Sequence, residues 1–168
     1  MKILLNNHFQ HSFTAFFSAS LILFSVFSVS CSQKEIFSEF HSFPKSEWNQ
    51  GEIARFEVDV TDISLHYDIF LEIRNRNDYP FRNIWLFIDY QTPNGNLRSD
   101  TLHTELADIY GKWYGTGISL YTYSFPYELN RQYPDTGKYV YSIRQGMREN
   151  PLNGISDIGL RVLRKTDQ

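Results

Sequence analysis

From residue 54 onward, apolar and polar positions alternate. Ala54, Phe56, Val58 and Val60 are separated by Arg55, Glu57 and Asp59, the period-two pattern of a half-buried strand. Tyr67, Ile69, Leu71 and Ile73 repeat it against Asp68, Glu72 and Arg74. Ile84–Tyr90 is apolar on both parities, with Ile84, Leu86, Ile88 and Tyr90 on one and Trp85 and Phe87 on the other. That predicts a central strand covered on both faces. Pro93-Asn94-Gly95-Asn96 follows, and Asn-Gly is a strong hairpin signal. It leads into a polar strand near Leu97–Leu106. Further strands are expected over Gly117–Tyr123, Lys138–Arg144 and Asp157–Leu163, with turn signals at Asn77-Asp78-Tyr79-Pro80, Asp135-Thr136-Gly137 and Asn153-Gly154. These seven strands predict an all-β, antiparallel sandwich, immunoglobulin-like or jelly-roll-like. One short helical turn is expected over Gln145–Asn150, ended by Pro151.

The chain before this body has a different pattern. Residues 1–30 hold no acid and one cation, Lys2. From Phe13 to Val29 the chain is apolar or small for 17 residues, short of the roughly 20 that span a bilayer and suited to the apolar region of a secretory signal. The only cysteine follows at once, in Phe27-Ser28-Val29-Ser30-Cys31. Small residues before a cysteine at this point resemble the lipobox of bacterial lipoproteins. That resemblance implies a diacylglycerol on the Cys31 thiol and stable anchoring by several acyl chains. A plain signal peptide or an uncleaved anchor helix is the alternative. The expected organisation is a signal over 1–30, a tether over 31–47 and the sandwich over 48–168. The tether is polar with spaced Phe37, Phe40 and Phe43. No aspartate follows Cys31 in Ser32-Gln33-Lys34-Glu35, so the outer membrane is the expected location, with its periplasmic and surface faces both open.

Composition narrows the chemistry. Only four alanines occur in 168 residues, and alanine is the best helix former, so a helical bundle is excluded. A net charge of −3 and a pI near 5.9 leave no nucleic-acid footprint. One cysteine excludes a disulfide framework and a multi-cysteine metal site. His41, His66 and His103 lack metal-ligand spacing, and His103 shares a polar strand parity with Thr101 and Glu105. Asp59, Asp62 and Asp108 fall short of the convergent oxygens calcium takes, and Asp62 is expected to cap a turn. No nucleophile elbow, phosphate-binding loop or zinc-protease motif occurs in the sequence. No enzyme activity and no cofactor are expected.

One segment stands out. Residues 110–141 hold eight of the eleven tyrosines. Alternation assigns Tyr139 and Tyr141 to the core and puts Tyr121 and Tyr123 on one parity. Tyr110, Trp113, Tyr114, Tyr127 and Tyr133 fall in predicted loops. They form a candidate partner or glycan surface, since tyrosine joins an apolar flank to a polar tip. Packing of a long 124–137 loop is the competing reading.

The residues gathered so far resemble the GldH family, lipoproteins of Bacteroidetes linked to gliding motility. Ile73-Arg74-Asn75-Arg76-Asn77-Asp78-Tyr79 is similar to the family's arginine-asparagine strand end. Asn83-Ile84-Trp85-Leu86, Pro93-Asn94-Gly95, Asp100-Thr101-Leu102 and Leu106-Ala107-Asp108 continue in register. Gly111-Lys112-Trp113-Tyr114-Gly115-Thr116-Gly117 is similar to its glycine-rich loop. The most specific stretch is Ile143-Arg144-Gln145-Gly146-Met147-Arg148 with Gly154-Ile155 and Asp157-Ile158-Gly159-Leu160-Arg161. The resemblance implies a non-enzymatic accessory or scaffold of the gliding apparatus, associated with type IX secretion and with other envelope proteins as partners. It implies no catalytic residue, metal or cofactor. Arg74 and Arg161, each near a strand end, are expected to pair with carboxylates such as Asp78 or Asp157.

Overall fold

In the computed structural model, which describes residues 34–165, the chain runs through β1 (Lys34–Ser42), β2 (Glu47–Trp48), β3 (Ala54–Val60), β4 (His66–Arg76), β5 (Asn83–Gln91), β6 (Leu97–Glu105), β7 (Thr116–Gly117), β8 (Leu120–Gln132), β9 (Gly137–Gln145), β10 (Leu152–Asn153) and β11 (Ile155–Arg164). A single 3-10 turn, Pro44–Ser46, links β1 to β2. Cys31 lies outside the described residues.

The pairing is nested. β5 pairs with β6, β4 with β8, β3 with β9 and β1 with β11, all antiparallel. The body is therefore one long hairpin whose tip is the turn at Asn94-Gly95. There Thr92 N–H donates to Asn96 O at 2.9 Å and Gly95 takes φ +84°, a conformation glycine adopts without a Cβ penalty. Rolling this hairpin lays β11 beside β4 and β9 beside β5. The result is two sheets, β1-β11-β4-β8-β7 and β3-β9-β5-β6, with β2 and β10 as a small side ladder. Of the two expected sandwich forms, this is the jelly roll.

The predicted parities hold in the core. Phe56, Leu71, Leu86, Ile143 and Leu160 come from five different strands, and each is at most 1% exposed. Burying a side chain of this size stabilises by about 1.5–3 kcal/mol. Ala54–Val60 alternates strictly between buried and exposed, as its sequence predicts.

Four expectations are corrected. The tether does not extend through residues 34–47, because 34–42 form β1, the edge strand of the first sheet. A register shift between Glu35 and Phe37 breaks its alternation, which is why the pattern hid it. The long 124–137 loop is largely strand, since β8 reaches Gln132. Pro126 fits there because beyond its short pairing with β7 the outer edge of β8 is unpaired, and a missing N–H costs nothing on such an edge. β5 is central but covered on one face only, with Trp85 and Phe87 exposed. The helical turn at Gln145–Asn150 is absent. Gln145 closes β9, and its side chain accepts from Met147 N–H at 2.7 Å and donates to Glu149 O at 3.0 Å. These bonds satisfy the loop's backbone without a helix.

Strand directions give the roll two ends. Lys34 and Lys165, the limits of the described chain, lie at one end with the connections 61–65, 92–96 and 133–136. The connections 43–53, 77–82, 106–119 and 146–154 lie at the other. We call these the proximal and distal ends.

Candidate functional site

The distal end is assembled from loops tied to one another by backbone bonds. Arg76 N–H donates to Gly154 O, and Gly154 N–H to Ser46 O, each at 2.8 Å. Gly154 has φ +89°, and a Cβ there would meet Tyr79 backbone at 2.7 Å, so this crossing requires glycine. Leu106 N–H donates to Arg82 O at 2.6 Å. Under the loops, Phe43 stacks on Trp48 with centroids 4.3 Å apart, and Tyr79 contacts Phe81 at 5.7 Å.

The glycine-rich loop is a small hairpin. Ala107 pairs with Trp113, and Tyr114 N–H donates to Leu106 O at 2.8 Å. Asp108 shapes the tip: its Oδ1 accepts from the N–H groups of Tyr110 at 2.8 Å and Lys112 at 2.9 Å. These are the local side-chain bonds that suit aspartate to turns.

The five aromatics singled out in the sequence are not one surface. Tyr110 is 89% exposed and Tyr114 51% exposed. Trp113 is half-buried. Its indole N–H donates to Asn77 Oδ1 at 3.4 Å, and its ring lies 6.2 Å from Tyr79 and 6.0 Å from Tyr121. Tyr127 is half-buried in the middle of β8. Burial first, then the charges of Glu128 and Asp100, push its hydroxyl well above the ordinary tyrosine value. Tyr133 is not a surface residue at all. It is 1% exposed, at the proximal end. Its ring packs on Tyr139 at 4.5 Å and Tyr67 at 5.3 Å, and its hydroxyl bonds that of Tyr141 at 2.8 Å. Periodicity missed this because Tyr133 sits just past the end of β8, where alternation no longer reports burial.

Arg131 completes that proximal cluster. Its guanidinium lies over Tyr90 at 4.5 Å and over Tyr133 at 5.0 Å, and it pairs with Glu128 and the Tyr90 hydroxyl. Such partners offset the cost of holding a largely desolvated cation among the rings.

An open cavity of about 650 Å³ lies at the distal end, lined by Arg76, Asn77, Asp78, Ser119, Leu120 and Ser156. Arg76 and Asp78 are bidentate partners at 3.0 and 3.1 Å. The Arg76 hydrogen bond holds the Asp78 carboxyl below its usual range. Asp78 therefore pairs with Arg76, not with Arg74 as expected. Arg74 instead caps the Phe40 ring at 3.6 Å, and Arg161 pairs with Glu72 at 2.8 Å. Phe40 lies opposite Gly159, where a Cβ would fall 2.7 Å from its ring. The Gly159–Arg161 stretch that carries part of the family resemblance is thus partly a packing device on the outer face of the first sheet.

A second surface went unseen in the sequence. Trp85 and Phe87, 42% and 41% exposed, lie on the open face of the second sheet beside Met147. His103 stacks on Trp85 at 4.5 Å and bonds Asn83 at 3.0 Å. Arg144 pairs with Asp89 at 3.1 Å beside Phe87. Asp62 caps its turn as expected, accepting from Ser64 N–H at 2.9 Å and Ser64 hydroxyl at 2.6 Å. Among the described residues, no three His, Cys, Asp or Glu side chains converge as a metal site would need.

Comparison with known proteins bears on this geometry. The family model described as GldH lipoprotein matches residues 35–162, which is the whole roll. The chain is 36% identical over 162 residues to a "Gliding motility lipoprotein GldH homolog" of Christiangramia forsetii, covering 91% of this chain and 96% of that one. It is 32% identical over 155 residues to "Gliding motility lipoprotein GldH" of Flavobacterium johnsoniae, covering 88% and 96%. Among solved structures, an arabinose-bound α-L-arabinofuranosidase shows 13% identity and a TM-score of 0.37. This chain covers 20% of it, and that likeness carries no argument.

Proposed function

The chain belongs to the GldH lipoprotein family, and from that premise we propose that it is a lipid-anchored, non-enzymatic accessory of the gliding-motility apparatus. The observation that carries the reading is the family match across the entire roll, from β1 to β11, at over 30% identity to two relatives named for gliding. The anchor is Cys31 and the membrane is the outer membrane, for which the absence of aspartate after Cys31 speaks. Type IX secretion components are the proposed neighbours.

Deleting the chain from its own cells tests the reading. Colony spreading, or cargo export in a host that does not glide, is expected to fail. A deletion strain that spreads and secretes normally would overturn it. Cys31→Ala tests the anchor: palmitate labelling and co-sedimentation with outer-membrane fractions are both expected to disappear. Labelling that persists in this variant would remove the lipidation site.

A further inference from the structure

The open face of the second sheet carries a floor of two rings. Trp85 and Phe87 are two residues apart on the exposed parity of β5, which spaces them by about 7 Å. Gly146 lies against both. A Cβ there would fall 3.0 Å from the Phe87 ring and 3.3 Å from Trp85 Cβ. The two rings and the Gly146 backbone are therefore one continuous surface. His103 stacks on Trp85 at 4.5 Å, and Arg144, paired with Asp89, lies 6.0 Å from the Phe87 centroid. The chain after β9 is pinned to this floor. Gly146 N–H donates to Trp85 O at 2.7 Å, and Trp85 N–H donates to Met147 Sδ at 3.4 Å. Gln145, 3% exposed, braces the same loop through Met147 N–H and Glu149 O. Gln50 Nε2 donates to Met147 O at 2.9 Å from outside. A surface built before contact keeps the ordering cost of binding low.

Two cavities open on this floor, one of about 470 Å³ at Trp85 and one of about 260 Å³ at Phe87, and Gly146 and Met147 line both. Asn83, Arg148 and Glu149 also line the first, and Gln50 and Arg144 the second. Arg148 and Glu149 are exposed, and among the described residues their side chains have no hydrogen-bond or ion-pair partner. We propose that this floor is a saccharide-binding site, which takes an oligosaccharide of at least two units laid along β5. A sugar ring presents weakly positive C–H groups on its face and hydroxyls around its edge. The face of an aromatic ring is its negative side and attracts the C–H groups. Amide, guanidinium and carboxylate groups between them donate to and accept from the hydroxyls. Each cavity holds both kinds of group, an aromatic ring and polar side chains beside it. Two rings about 7 Å apart call for two packing faces on the ligand, hence two units. Charged residues are depleted at the centre of protein interfaces, whereas here they line both cavities next to the rings. The site lies apart from the Tyr110 and Trp113 surface expected from the sequence, and it is independent of the motility role.

The test uses the full-length chain, purified from native membranes in detergent. It is applied to an array of neutral, N-acetylated and uronic-acid glycans, from single sugars to longer chains. Binding to at least one class of oligosaccharide is expected, with the corresponding single sugar weaker by about ten-fold or more, the effect of one lost 1.4 kcal/mol contact. Trp85→Ala and Phe87→Ala are each expected to weaken binding to a similar degree, while Trp85→Phe, which keeps a ring, retains most of it. Leu129→Ala, an exposed apolar position on the first sheet, is expected to bind as wild type. Arg148→Ala removes an exposed side chain that packs on no ring, so it judges the site even where a ring variant fails to fold; several-fold weaker binding is expected. An array on which the chain binds nothing overturns the site. So does binding that survives Trp85→Ala, Phe87→Ala and Arg148→Ala alike. Binding lost in Tyr110→Ala, with the ring variants unaffected, would put the ligand on the distal hairpin and overturn this floor. A silent array, with Trp85→Ala and Phe87→Ala releasing the chain from a crosslinked envelope complex, would make the face a protein interface instead.

Discussion

The same residue type does opposite things at the two ends of this roll. At the proximal end, Tyr67, Tyr90, Tyr133, Tyr139 and Tyr141 are each at most 4% exposed and pack ring against ring around Arg131. At the distal end, Tyr110 and Tyr114 face solvent on a tight hairpin. The difference lies in what stands behind each ring. Proximal tyrosines sit between two sheets, where each hydroxyl needs a partner, as the Tyr133–Tyr141 pair at 2.8 Å and the Tyr139 bond to Asp135 O at 2.8 Å provide. Tyr110 and Tyr114 are carried out by a hairpin, where Tyr114 meets the Tyr123 ring at 5.9 Å and each side chain keeps half or more of its surface in solvent. A tyrosine count therefore measures neither stability nor function until the two populations are separated.

Raising the pH should break the packed population first and most completely. Burial is the leading cause that lifts the hydroxyls of Tyr67, Tyr79, Tyr90, Tyr127, Tyr133 and Tyr141 above the ordinary value of 10.0. The folded chain holds these protons while the unfolded chain releases them near pH 10, so the unfolded state binds fewer protons above that pH. Their contribution is complete below pH 10 and is lost as pH rises towards the folded values. Phenolate absorbance should therefore rise together with loss of β-sheet circular dichroism. Full ionisation with the sheet signal intact would refute the packing account.

Tyr133→Ala should cost about 3–5 kcal/mol, the range for emptying a large aromatic site. Chemical denaturation of the full chain measures this. Tyr133→Phe keeps the ring and removes only the hydroxyl bond to Tyr141, so about 1 kcal/mol is expected. A Phe variant as damaged as the Ala variant would mean the hydrogen bond, not the ring, holds the cluster. Tyr110→Ala should change stability by no more than about 0.5 kcal/mol, as an exposed position does. A larger loss would mean that the distal hairpin depends on that ring and is not a free tip.

Much of the roll was legible because alternation is a local signal. β3, β4 and β9 follow it closely, since each buries one face. The signal failed where local order is broken. β1 carries a register shift, β8 carries two and a proline, and β5 shows apolar side chains on an open face. The candidate site was legible only in part. Tyr110 and Tyr114 are exposed and Tyr133 is buried, although the sequence puts all three in predicted loops. Exposure of a side chain is decided by what the rest of the chain brings beside it.

The sequence by itself determined the all-β body, the parity of its principal strands, the Asn94-Gly95 turn and the family. Each is written in neighbouring residues or in residue order along the chain. Only the tertiary structure decided the nested pairing, the jelly-roll order of the sheets and the division of the tyrosines between two ends. Those depend on contacts between residues far apart in sequence, such as Phe40 with Gly159 and Tyr67 with Tyr133. Period-two patterning says which face of a strand is buried. It does not say against which strand, and that choice is made when the rolled hairpin closes on itself.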